Sequence, residues 1–174
     1  MNSQQLSLPQ ANLKMALWQV EAEAMSSSSL YVWLDNIGLP YEVGIRLHEL
    51  ITYTKKISNK ILAVGKMILI RIIEFVKAHP HLSIGIAVGA AVGFLVNTIP
   101  FIGPVLAPLA AALGMTIGAI AGHRLDKDTQ DKRISNSGII EIIGITEDLI
   151  EITRDFFALL ADVFNIFFRH VVTA

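Results

Sequence analysis

The chain contains no cysteine among its 174 residues. That excludes disulfides, thiolate metal sites and a lipoprotein anchor, and it leaves the redox compartment unread. Charge is scarce as well. Asp, Glu, Lys and Arg make up 17% of the chain and hydrophobic residues 53%, against about a quarter and a half in ordinary globular domains. A net charge of −1 gives no basic field for nucleic acid. A signal peptide is not expected, because Lys14 is the only basic residue of the N-terminal stretch and Pro9 interrupts it. Membrane insertion would have to rest on an internal segment.

Chemical motifs are missing too. His48-Glu49-Leu50-Ile51-Thr52 begins like a zinc-protease helix, but Thr52 stands where the second histidine belongs. Gly65-Lys66 is followed by Met67 and makes no phosphate loop. Asp126, Asp128 and Asp131 lack the calcium-loop glycine. With no convergent polar constellation, no catalytic residue, metal or cofactor is expected, and the chain reads as non-enzymatic.

What is present is helical periodicity. Residues 1–39 hold two short amphipathic helices. The first carries Leu13, Ala16, Leu17, Val20 and Ala24 at spacings of three and four, with Glu21 and Glu23 off that stripe. The second ends at Gly38-Leu39-Pro40. Residues 40–79 read as one long basic amphipathic helix, with Ser58-Asn59 and Gly65 as weak points. A charged linker covers 124–137. Residues 138–174 form a last helix whose narrow polar stripe includes Asp148, Glu151, Asp155 and Asp162.

Between these parts, residues 80–123 belong to a run with no Asp, Glu, Lys or Arg from Ala78 to His123. It divides into two helices, roughly 82–98 and 108–122, around a turn marked by Pro100, Gly103, Pro104 and Pro108. Each helix carries a glycine zipper: Gly85, Gly89, Gly93 and then Gly114, Gly118, Gly122. Folding about Gly103-Pro104 brings residues whose numbers sum to 207 level, so Gly93 meets Gly114, Gly89 meets Gly118 and Gly85 meets Gly122. Such glycines allow backbones to touch, within the hairpin or between subunits. Asn97 and Thr98 are candidate pore-lining residues, or a cap on the first helix. His79, His81 and His123 cluster at the near end, either as a pH-sensitive hinge or as interfacial polar residues. Basic residues flank both ends of the run, which would put both termini in the cytoplasm.

The uncharged hairpin with its Gly/Pro turn resembles the hydrophobic hairpin of colicin-type pore-forming domains. The paired motifs Gly85-xxx-Gly89-xxx-Gly93 and Gly114-xxx-Gly118-xxx-Gly122 are similar to those of small glycine-zipper membrane proteins. The resemblance implies a membrane-active effector or toxin, and with it an immunity-type partner. The expected fold is all-α: a membrane hairpin with paired zippers, flanked by amphipathic helices forming a collar. Within that collar Lys60, Lys66 and Arg71 would face the acidic stripe of the last helix. The expected protein is an integral membrane homo-oligomer that forms a pore or perturbs the bilayer. The alternative is an anchor or adaptor whose collar docks a cytosolic protein. A third arrangement is a bundle with the hairpin as its core.

Overall fold

Ser7 and Gln10 start the first helix. The Ser7 backbone N–H and hydroxyl both donate to the Gln10 side-chain oxygen, at 2.9 and 3.0 Å. Pro9 occupies the first turn, where no helical N–H partner is needed. The computed structural model describes residues 6–113 and 137–173, with side chains of the last stretch described from 148 to 171. The first helix, α1, runs Leu8–Ala24. Ser26 caps α2 (Ser27–Asn36) by accepting from the Ser29 N–H at 3.1 Å. Gly38, at φ +73°, turns the chain into α3 (Tyr41–Thr52), which follows Pro40.

The continuous helix expected over 40–79 does not form. After α3 the chain makes a small hairpin, β1 (Lys55–Ile57) and β2 (Lys60–Leu62), antiparallel with Lys55 opposite Leu62 and Ile57 opposite Lys60. Ser58-Asn59 forms its two-residue turn, with Ser58 at φ +54°. The β-branched Thr52, Thr54 and Ile57 favour leaving the helix here. α4 (Val64–Ala78) then returns along α3. Gly65 is no weak point but the contact itself: its N–H donates to the Tyr53 carbonyl at 2.9 Å, and its missing Cβ makes room for the Leu50 carbonyl.

α4 is buried along most of its length, with Met67, Ile68, Leu69, Ile72 and Phe75 at 1% exposure or less. α5 (Ile84–Thr98) packs on α4 and on α6 (Gly103–Leu113). The second hairpin helix begins five residues earlier than expected, because Pro104 sits in its first turn, the place that suits proline. Pro108 lies inside the helix on its exposed side, so the carbonyl it leaves without a donor is near solvent. α7 (Ser137–Thr173) crosses the assembly and packs on α1, α4 and α5. Phe157 lies 5.3 Å from Phe75 and 6.3 Å from Phe94, while Phe164 lies 6.2 Å from Trp18 and 6.0 Å from Phe101. Each such fully buried ring contributes about 1.5–3 kcal/mol. The chain is thus mostly helical, with seven helices among the described residues.

The membrane assignment is overturned. Among the described residues no helix is long and apolar enough to cross a membrane. α5 has no charge but only 15 residues, about 22 Å against a hydrocarbon core of about 30 Å. α7 is long enough but carries Asp148, Glu151, Arg154, Asp155, Asp162 and Arg169. The middle of α5 is covered by protein: Ala87 to Gly93 and Leu95 are buried against other helices. The integral location with cytoplasmic termini, the pore, and the membrane-anchored adaptor are withdrawn together.

The collar also differs from expectation. Arg71 pairs with Glu21 of α1 and, at 2.6 Å, with Glu74 of its own helix. Lys66 donates to the Met25 carbonyl at 3.0 Å. The acidic stripe of α7 points outward, and Arg154 lies 3.7 and 3.5 Å from Glu151 and Asp155 beside it. The basic side of α4 therefore selects α1, and α7 is held by phenylalanines instead.

Candidate functional site

The residues singled out in the hairpin are structural or lie outside the described part. Gly114, Gly118, Gly122 and His123 belong to the latter, so the mirror pairing of the two zippers falls outside the described residues. Gly89 and Gly93 are buried in α5. Gly85 is exposed, with nothing described within 4 Å of where its Cβ would stand. Gly103 opens α6; Pro100, Pro104 and Pro108 lie exposed around the turn. Asn97 and Thr98 fold back on their own last turn. The Asn97 amide donates to the Gly93 carbonyl at 2.7 Å and the Thr98 hydroxyl to the Phe94 carbonyl. The Thr98 carbonyl in turn accepts from the Asn165 amide of α7 at 3.0 Å. His79 bonds the Phe75 carbonyl through Nδ1 at 2.9 Å and packs beside Phe75, His81 and Phe156.

A cleft of about 360 Å³ opens beside Arg46, Glu49, Thr52, Tyr53 and Val105. Its two charged groups already bind each other, Arg46 to Glu49 at 2.8 Å, so they do not converge on a space between them.

The feature that stands out is α1. It is apolar on two opposite sides. The inner side, Ala11, Met15 and Ala22 with Trp18 partly covered, packs on α4 and α7. The outer side is the periodic stripe itself: Leu13, Leu17 and Val20 are 63%, 59% and 64% exposed, and Ala16 and Ala24 are exposed between and beyond them. Large aliphatic side chains left in water at this spacing are the unusual observation, since burying each would contribute about 1.5–3 kcal/mol.

The helix is not free to roll these residues inward. Gln19 grips β2 and the residue after it: its amide donates to the Ile61 carbonyl at 3.2 Å and its oxygen accepts from the Ala63 N–H at 2.9 Å. Glu21 accepts from Arg71, whose guanidinium lies 5.3 Å above the Trp18 ring. Lys66 holds the last carbonyl of the turn at Met25. Trp18 meets Phe164. Together these links hold α1 at one angle about its axis. Beside Gln19, Ile61 is itself 62% exposed.

Sequence periodicity shows this stripe but not which way it faces. The competing signal was the set Ala11, Met15, Trp18 and Ala22, spaced four, three, four on the other side. Its alanines permit close approach, and Glu21 beside it has a buried-side partner in Arg71. No family model, curated protein or solved structure matches the chain.

Proposed function

We propose that the chain is a non-enzymatic helical binding module that docks another protein chain on the outer face of α1. The observation that carries this is the stripe Leu13, Leu17 and Val20, each more than half exposed on a helix whose rotation is fixed by Gln19, Glu21 and Trp18. An exposed apolar stripe on a rigid helix is the usual material of a helix-mediated interface. The surrounding side chains, Asn12, Lys14, Gln19, Glu21 and Glu23, form the polar rim such interfaces have.

The experiment is photocrosslinking in the producing cell, with p-benzoylphenylalanine placed at Leu17. A discrete protein adduct is expected, abolished when Leu13→Lys and Val20→Lys are introduced into the same chain. Absence of any protein adduct, with the chain folded and present, would remove the docking role.

A further inference from the structure

We infer that the occupant of the α1 face is a second copy of this chain, joined as an antiparallel α1–α1 pair. This deepens the docking role proposed above and rests on it.

The first argument is register. Leu13, Leu17, Val20 and Ala24 are spaced four, three, four, a pattern that reads the same from either end. When two copies lie antiparallel so that residues summing to 37 are level, Leu13 meets Ala24 and Leu17 meets Val20, twice each, with no mismatch. A stripe with this symmetry is complementary to itself under a two-fold axis, as an isologous interface requires. Large residues meet across the centre, and the small Ala24 lies under Leu13 at each end.

The second argument is charge. At 3.6 residues per turn, Lys14 and Glu21 share one flank of the stripe, while Asn12, Gln19 and Glu23 share the other. A two-fold axis perpendicular to antiparallel helices sets each flank against its own copy. Lys14 then lies within about 3 Å in height of Glu21 of the second copy. Glu21 keeps a solvent side for this, being 39% exposed in its bond with Arg71. On the other flank Glu23 approaches Asn12 of the second copy, so neither flank sets like charges together. A parallel pair does the reverse: it brings the Lys14–Glu21 flank against the other flank, and Glu21 against Glu23. The charges thus select orientation and register, while the aliphatic stripe supplies the attraction.

The chain's lack of cysteine gives a clean test on the purified full-length protein. Copies carrying Leu13→Cys are mixed with copies carrying Ala24→Cys under mild oxidation. The mixture is expected to form a disulfide-linked dimer. Each variant alone is expected to stay unlinked, because residue 13 of one copy is level with residue 24 of the other, about 16 Å from its own counterpart. Adding Leu17→Lys to both variants is expected to abolish the link while circular dichroism, and the melting temperature at a concentration too low for pairing, hold. Links within each variant alone, with no 13–24 link formed on mixing, would show a parallel pair and overturn the assignment. No link in any combination would overturn it as well. A cellular photocrosslink to a different protein, with no disulfide here, keeps the docking role and removes the second copy; loss of both removes the docking role itself.

Discussion

A Cβ on Gly65 would stand 1.7 Å from the carbonyl oxygen of Leu50 and 2.8 Å from its carbonyl carbon. The end of α3 and the start of α4 touch backbone to backbone at that point, with the small β-hairpin looped between them. The obstacle is main chain, which cannot swing aside as a side chain does. Gly65→Ala is therefore expected to destabilise the protein by about 3 kcal/mol. Urea unfolding followed by circular dichroism measures it. Wild-type stability would show that α3 and α4 do not meet there.

Arg71 ties α4 to α1 through Glu21, to its own helix through Glu74, and to the Trp18 ring. Its side chain is 19% exposed. Arg71→Met leaves two carboxylates without their cation and is expected to cost about 1.5–3 kcal/mol. Arg154→Met makes the control: that side chain is 60% exposed, and the expected loss is under about 0.5 kcal/mol. Equal effects in the two variants would mean that α1 is not anchored by Arg71.

α7 holds the bundle with rings and one amide. Phe157→Ala removes a fully buried ring set among Phe75, Phe94 and Phe156, with an expected loss of about 3–5 kcal/mol. Asn165→Ala removes the donor to the Thr98 carbonyl at the end of α5, with an expected loss of about 1 kcal/mol. Asn165→Asp should lose as much, because a carboxylate cannot donate to a carbonyl. If Asn165→Asp unfolds at the wild-type urea concentration, α7 does not cap α5.

Much of the helical framework was legible. Ser26 before α2, Pro40 before α3 and the apolar run of α5 are local signals, and local physics sets them. The errors arose where tertiary context decides. An uncharged stretch reads alike whether it is bound for lipid or for a protein core. What separates the two here is length: Pro80, Pro100 and Pro104 leave α5 at 15 residues, and the Ala87–Gly93 segment is covered by α4, α6 and α7. Ser58-Asn59 reads from sequence only as a weak point in a helix, because the strands of three residues on either side carry almost no periodicity. Arg71 was matched to the last helix by charge alone, yet Glu21, fifty residues away and in the first helix, is its partner. On α1 two apolar sets of identical spacing compete, and only the packing of Ala11 and Ala22 tells which turns inward.

The self-docking of α1 also has a stability signature. Leu17 is 59% exposed, so Leu17→Lys should leave the stability of the single chain within about 0.5 kcal/mol. Thermal melts of the wild type should then shift upward with protein concentration, because association with the folded form alone stabilises it. Melts of Leu17→Lys should not. A concentration-dependent shift of equal size in both would place the contact elsewhere on the surface.

Sedimentation equilibrium of the purified chain tests the central claim most directly. Across the micromolar to sub-millimolar range the wild type is expected to rise from the mass of one chain to that of two, and no further, because a two-fold pair closes on itself. Leu17→Lys is expected to remain a single chain throughout. A wild type that stays monomeric at every concentration, or a Leu17→Lys variant that dimerises as well as the wild type, would contradict the account.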